Sequence, residues 1–118
     1  MKRDAPAKNA RPLAGRRVLV VEDEFFLADD IAQTLCEAGA EVIGPIARVA
    51  KALEILANGQ AVDAAILDLD VRGEKSFPIA DILRAEYDGI AERILFPVPK
   101  DSKNDAAARR AIERLRAS

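Results

Sequence analysis

Two short acidic segments hold the residue types and the spacing that could do chemistry in this 118-residue chain. The first is Glu22-Asp23-Glu24, and the second is Asp68-Leu69-Asp70. Carboxylates that are crowded together repel one another, so they resist ionisation unless a cation lies among them. Mg²⁺ meets this need, because it prefers carboxylate, carbonyl and water oxygens as ligands. Such acids can also cap a helix or face solvent, but two segments in one short chain favour a metal site.

Each acidic segment directly follows an apolar run that predicts a buried strand. Residues 18–21 and 64–67 are entirely apolar and show no polar alternation, which is typical of parallel strands covered on both faces. In open α/β sheets, ligands bind at the carboxyl ends of the strands. If these two strands are neighbours, Glu22, Asp23 and Asp68 converge at one edge of the sheet. Asp70 is a further candidate ligand, which could contribute only its backbone carbonyl while its side chain faces water.

The remaining segments predict an alternation of strands and helices. Helical spacing of apolar residues marks residues 25–38, a stripe over 49–56, a helix beginning near Pro78 and a last helix after Asp105. Gly39 is placed to end the first helix in the left-handed conformation. Short apolar strands are predicted over residues 41–45, stopped by Gly44-Pro45, and over residues 94–98. The order β-α-β-α-β-α-β-α predicts one α/β domain with a parallel sheet and helices on both faces.

Composition excludes several kinds of function. The chain contains no histidine, which excludes Ser–His and Cys–His catalysis, histidine-ligated zinc and any role as the histidine-phosphorylated partner of a relay. Its single cysteine, Cys36, excludes an internal disulfide and a thiolate metal cage. The net charge of −2 does not indicate binding to nucleic acid or to an acidic membrane.

The chain divides into a short arm and one domain. Residues 1–15 are expected to form a disordered basic arm, since residues 1–14 hold four basic residues and one acidic residue. Such an arm could also steer an acidic partner. Residues 16–118 are expected to form the domain. No apolar run resembles a signal peptide or a membrane span, so a cytoplasmic protein is the simplest expectation.

The motifs around the acids resemble those of response-regulator receiver domains, in particular the single-domain, chemotaxis-regulator-like members. The resemblance rests on residues 18–24 and on residues 66–71 with Gly73, and it extends over residues 37–42 and 77–80. It implies that Asp68 accepts a phosphoryl group from a phosphohistidine, and that Mg²⁺ is the cofactor. It further implies that Asp23 binds Mg²⁺ directly, Glu22 through water and Asp70 through its backbone carbonyl. The implied partner is a sensor histidine kinase or a phosphotransfer protein.

The chain departs from the family pattern in its second half. The family has a Thr or Ser after its fourth strand, and a Lys followed by Pro after its fifth. Lys100 resembles that lysine and is a candidate phosphate contact. It is followed by Asp101 instead of proline. The alternative interpretation is that Lys100 is a surface lysine in a loop. The interval from Asp68 to Lys100 has room for about one strand–helix unit where the family has two, and we expect the missing segment to fall between Glu86 and Gly89. Ser76 and Ser102 are the only nearby candidates to replace the lost hydroxyl.

These observations predict a flavodoxin-like, doubly wound parallel sheet shortened to four strands. The last strand is expected to pair beside the third or to leave an exposed edge, and such an edge favours a homodimer. The expected function is that of a single-domain response regulator in a Mg²⁺-dependent phosphorelay. The alternative is a degenerate receiver that binds proteins without being phosphorylated. An enzyme is disfavoured: Asp68-Leu69-Asp70 resembles the motif of haloacid-dehalogenase-type phosphatases, but it follows the third strand of a chain that is too short.

Overall fold

The described part of the chain, residues 11–96 and 104–117 of a computed structural model, forms six strands and four helices. The strands are β1 (Arg17–Val21), β2 (Glu41–Ile46), β3 (Ala64–Leu67), β4 (Asp70–Val71), β5 (Glu74–Lys75) and β6 (Ile94–Leu95). The helices are α1 (Phe25–Glu37), α2 (Val49–Ala57), α3 (Phe77–Glu86) and α4 (Asn104–Ala117), with a 3₁₀ turn at Ala91–Arg93. No helix in these residues has the length and apolar character needed to cross a membrane.

Four of the strands form one parallel sheet in the order β2-β1-β3-β6. This confirms the predicted α/β fold with a four-stranded parallel sheet, and the last strand pairs beside the third. In the register between β1 and β3, Val21 lies opposite Leu67. The next residue of each strand, Glu22 and Asp68, therefore leaves the sheet at the same edge.

Alternate residues of the central strands face opposite layers of helices. Val18 and Val20 of β1 belong to the core formed with α1 and α4, whereas Leu19 and Val21 belong to the core formed with α2 and α3. Helices cover both faces of the sheet, so alternate side chains of β1 and β3 are buried on opposite faces. This accounts for the continuous apolar runs in the sequence.

The turn before β1 is part of the packed domain. Leu13, which we assigned to the basic arm, is only 1% exposed and lies in the core beside α1 and α4. Its backbone N–H donates to the carbonyl oxygen of Ala38 over 2.9 Å. The part of the arm formed by residues 1–10 lies outside the described residues.

β2 continues through Gly44-Pro45 to Ile46, whereas we expected this pair to stop the strand. Proline is tolerated here because β2 is an edge strand of the sheet, where one side of the backbone has no ladder partner. Gly44 has a φ of +111°, and a Cβ at this position would lie 2.7 Å from the carbonyl oxygen of Val20. The backbones approach so closely that only glycine fits at residue 44.

A small hairpin that the sequence analysis did not predict follows β3. β4 and β5 pair antiparallel, with Val71 opposite Glu74, so that Arg72 and Gly73 form a two-residue turn. Both residues have positive φ, of 54° and 87°, as the type I′ turn of a tight hairpin requires. The Arg72-Gly73 pair is the local signal that could have indicated this turn.

β6 pairs beside β3, as expected for the last strand of a sheet shortened to four. In the five-strand order 2-1-3-4-5, the place beside the third strand belongs to the fourth strand. A strand from either side of the missing segment would take this place, so the expected gap between Glu86 and Gly89 stays a prediction. The residue that follows β6 is Phe96, which has no hydroxyl.

Ser76 offers a test of the packing at the start of α3. Its side chain is fully buried, and its Oγ has no hydrogen-bond partner in the described part of the chain. Leaving a buried hydroxyl unpaired costs about 1 kcal/mol or more. We therefore expect Ser76→Ala to raise the free energy of unfolding by about 1 kcal/mol, as measured by urea denaturation. A loss of stability instead would show that the hydroxyl has a partner, and Ser76 would return as a candidate for the missing hydroxyl of the site.

Candidate metal centre

Three carboxylates from two neighbouring strands converge at the carboxyl edge of the sheet. Glu22 and Asp23 follow β1, and Asp68 follows β3, with the Asp68 N–H donating to the carbonyl oxygen of Val21 over 2.9 Å. One oxygen from each of the three side chains lies within 4.8 Å of the other two. The sheet register thus brings together the three acids that the sequence analysis expected to converge.

Burial makes this cluster electrostatically costly without a cation. Glu22 is only 5% exposed. Its burial, together with the charges of Asp68 and Asp23, raises its pKa to about 7. The Glu24 N–H opposes this rise by donating a hydrogen bond to Oε2 of Glu22 over 2.9 Å. Burial also raises the pKa of Asp68, with the charges of Asp23 and Asp70 adding to the effect. A hydrogen bond between the carboxyl groups of Glu22 and Asp68 favours the proton on Glu22 and the charge on Asp68.

The hairpin formed by β4 and β5 adjoins this cluster. The backbone N–H of Arg72, at the tip of the hairpin, donates to Oδ2 of Asp23 over 3.1 Å. A carboxylate has a second oxygen, so this hydrogen bond leaves Oδ1 of Asp23 for a cation. The contact joins residues that are 49 positions apart in the chain, and nothing in the local sequence pattern indicated it.

The other two acids of the motifs have different surroundings. The side chain of Asp70 is exposed and pairs with Nζ of Lys75 over 3.1 Å, so its carboxylate is not part of the three-acid group. The role of the Asp70 backbone carbonyl as a metal ligand stays a prediction. Glu24 accepts a hydrogen bond from the N–H of Leu27 over 2.7 Å and caps α1. For Glu24, the helix-capping interpretation is therefore the right one.

The three carboxylates fit a hard divalent cation. Mg²⁺ takes six oxygens at about 2.1 Å, so that opposite ligands lie about 4.2 Å apart. One oxygen of each side chain lies within 4.8 Å of the others, which is close enough for a single cation to contact the group. Burial, and to a smaller extent mutual repulsion, raise the pKa of Glu22 and Asp68. A cation among these groups would oppose both effects by favouring the ionised carboxylates.

The remaining candidates lie elsewhere. Lys100 and Ser102 are outside the described residues. Ser76 is buried and unpartnered, as described above. Phe96, which follows β6, is half-buried, and its ring centroid lies 6.0 Å from that of Phe77. The residue after the strand beside β3 is therefore aromatic and has no hydroxyl.

Comparisons with known proteins support the fold. The response regulator protein TrrA from Thermotoga maritima, solved in complex with Mg²⁺ and BeF, matches with a TM-score of 0.59 and 23% identity over 81% of this chain and 80% of that chain. A fusion that carries residues 181–211 of the trimeric coiled coil of yeast Spc42 matches with the same TM-score and identity, over 86% of this chain. This chain spans 62% of the fusion, less than two thirds of its length. No family model and no curated protein matches the chain. The chain therefore has the fold of a response-regulator structure.

Proposed function

We propose that this chain is a single-domain receiver that accepts a phosphoryl group onto Asp68 from a histidine kinase or a phosphotransfer protein. The observation that carries the proposal is the convergence of Asp68 with Glu22 and Asp23 within 4.8 Å at the carboxyl edge of a receiver-like sheet. These three side chains would hold Mg²⁺, with the backbone carbonyl of Asp70 as a further ligand. Three carboxylates that repel one another lower stability, so a cation site gives them a physical reason to be together.

In the proposed reaction, an oxygen of the Asp68 carboxylate attacks the phosphorus of a phosphohistidine. The new O–P bond forms an acyl phosphate, and the P–N bond breaks with its electron pair going to the histidine nitrogen of the partner. Bound Mg²⁺ would offset the negative charge of the phosphoryl group beside the carboxylates. Asp68 is only partly buried. Its burial raises its pKa, and a bound cation would oppose this by favouring the ionised carboxylate that attacks. Lys100 is proposed as a further phosphate contact.

The lost hydroxyl changes what phosphorylation can do in this chain. Phe96 has no group that could hydrogen-bond a phosphoryl oxygen, so the residue after β6 gains no new polar contact when Asp68 is modified. A receiver of this kind acts best by drawing phosphoryl groups from a kinase, as a relay element or phosphate sink, because its conformational change is small. The predicted homodimer through the edge of β6 also belongs to this proposal, and light scattering at high protein concentration tests it.

A second candidate function follows from the same departure. The missing strand–helix unit, and a residue after β6 that has no hydroxyl, favour a degenerate receiver that binds proteins without being phosphorylated. The intact acids oppose it, since a module that never binds a cation would be more stable without Glu22 in its ionised form.

Intact-mass measurement separates the two candidates. The protein is incubated with acetyl phosphate, with and without Mg²⁺, and weighed. A single phosphoryl adduct that forms with Mg²⁺, and does not form when excess EDTA is present from the start, supports the receiver. No adduct, together with no Mg²⁺ binding by calorimetry, would rule out the phosphoacceptor role and leave the binding module.

A further inference from the structure

The hairpin beside the three carboxylates has an unusual residue at its tip. Arg72 has a φ of +54°, in a turn whose first central position favours asparagine or glycine. Arginine rarely adopts this left-handed conformation, because its Cβ crowds the backbone there. The side chain does not stabilise the fold by burial either, since it is exposed. Residues that break a local rule in this way are expected at functional positions.

The backbone of Arg72 is fixed next to the carboxylates. Its N–H donates to Oδ2 of Asp23 over 3.1 Å, and one oxygen of Asp23 lies within 4.8 Å of one oxygen of Asp68. The Arg72 side chain therefore starts close to the proposed phosphoryl acceptor. An extended arginine side chain is longer than the spacing between these two carboxylates, so its guanidinium is long enough to reach a phosphoryl group on Asp68.

The guanidinium of Arg72 has no acidic partner among the residues that the structure describes. Lys75, the other cation of the hairpin, differs in this respect, because its Nζ pairs with Asp70 over 3.1 Å. Arginine presents its N–H donors in a planar fork that matches the oxygens of a phosphoryl group. An unpaired guanidinium at this place keeps those donors for an incoming anion.

The charges of the proposed reaction favour such a contact. Three carboxylates share the place for one divalent cation, and a phosphoryl group brings further negative charge to it. The residue after β6 is Phe96, which has no hydroxyl, and Lys100 lies outside the described residues. A further positive group at this edge of the sheet would offset the charge that develops during phosphoryl transfer.

We propose that the Arg72 guanidinium contacts the phosphoryl group while it is transferred to Asp68 and after it is attached there. This inference rests on the proposed receiver function and deepens it, because it assigns a phosphate contact to the hairpin, where the receiver resemblance implies none. The hydrogen bond to Asp23 holds the backbone of Arg72 in place. The side chain thus adds a positive charge without taking a ligand position on the cation.

Beryllofluoride, a mimic of the phosphoryl group, tests this contact in the full chain. It is titrated into the Mg²⁺-saturated protein, and its binding is followed by ¹⁹F NMR. Arg72→Asn should bind it about tenfold more weakly than the wild type. The matched control is Lys75→Gln, which removes the surface ion pair of the same hairpin and should stay within about twofold. Arg72→Lys keeps the charge but loses the fork, so its affinity should lie between those of the wild type and Arg72→Asn.

Two further measurements distinguish a phosphoryl contact from a structural role of Arg72. Asparagine favours this turn, so Arg72→Asn with saturating Mg²⁺ should melt no lower than the wild type by circular dichroism. Its affinity for Mg²⁺ alone, by calorimetry, should be equal or higher, because a positive charge has left the neighbourhood of a cation. A fall in melting temperature or in Mg²⁺ affinity that parallels the loss of beryllofluoride binding would overturn the inference.

The outcomes also separate this inference from the receiver function. If the wild type binds beryllofluoride and Arg72→Asn binds it equally well, the contact with Arg72 is wrong and the receiver function stands. If the wild type binds no beryllofluoride, the inference is overturned, and the intact-mass measurement with acetyl phosphate decides the receiver function by itself.

Discussion

The Asp68→Asn variant is expected to gain no phosphoryl group from acetyl phosphate, whereas Asp70→Asn is expected to gain one as the wild type does. Both changes replace a carboxylate after β3 with a neutral amide, and the two positions are two residues apart. Only Asp68 belongs to the three-acid group, and the Asp70 side chain pairs with Lys75 at the surface. Asparagine at residue 70 leaves the backbone carbonyl in place, and at residue 68 it removes the nucleophilic oxygen. Intact mass after incubation with Mg²⁺ and acetyl phosphate measures both outcomes.

This pair of variants distinguishes phosphorylation of Asp68 itself from phosphorylation of any nearby carboxylate. Equal labelling of the wild type and of Asp68→Asn would mean that the phosphoryl group resides elsewhere and would contradict the assignment of Asp68. Loss of labelling in Asp70→Asn, with its fold intact by circular dichroism, would instead show that the Asp70 carboxylate itself takes part. The ion pair with Lys75 makes this second result unexpected.

Glu22→Gln is expected to stabilise the metal-free protein at pH 8 by about 2–3 kcal/mol. The pKa of Glu22 is about 7 in the folded chain, against an ordinary value of 4.5. The folded state therefore holds a proton more tightly than the unfolded state does. The resulting stabilisation is complete below about pH 4.5 and is lost as the pH rises through about 7. Glutamine keeps the size and the acceptor oxygen for the Glu24 N–H but never ionises, so the variant escapes this loss.

Urea denaturation at pH 5 and pH 8, in EDTA, measures this effect. The advantage of Glu22→Gln should be small at pH 5 and large at pH 8, and saturating Mg²⁺ should reverse the order, because the cation needs the ionised carboxylate. Glu41→Gln, which changes an exposed glutamate at the start of β2, serves as the control and should show no such gain. A destabilised Glu22→Gln at pH 8 without metal would mean that the buried carboxylate has a stabilising partner, and the electrostatic argument for a cation would fail.

Phe96 connects the two candidate functions. In the proposed function, the acids of the cluster would hold a cation beside an incoming phosphoryl group, but Phe96 has no side-chain group that could hydrogen-bond that phosphoryl group. A receiver with such a site is expected to take up phosphate with little change elsewhere in its fold.

Local chemistry made much of this fold predictable. Runs without polar alternation indicated β1 and β3 as strands buried on both faces, and helical spacing indicated the helices between them. Pro78 lies in the first turn of α3, as expected. Gly39 follows α1 with a φ of +97°, as a left-handed helix end requires. The convergence of Glu22, Asp23 and Asp68 was predictable too, because the carboxyl ends of adjacent parallel strands meet at one edge.

Some features of the fold depend on contacts between distant residues, and only the tertiary structure decided them. The Arg72 N–H reaches Asp23 across 49 positions, and Leu13 enters the core against Ala38. The pairing of β6 with β3 put Phe96, rather than a hydroxyl, beside the fourth-strand position. Residue type and period act over a few neighbours and so determine which segments become strands or helices. Strand pairing and register arise from the packing of the whole chain. They determined that β6 lies beside β3 and how far apart the three carboxylates lie.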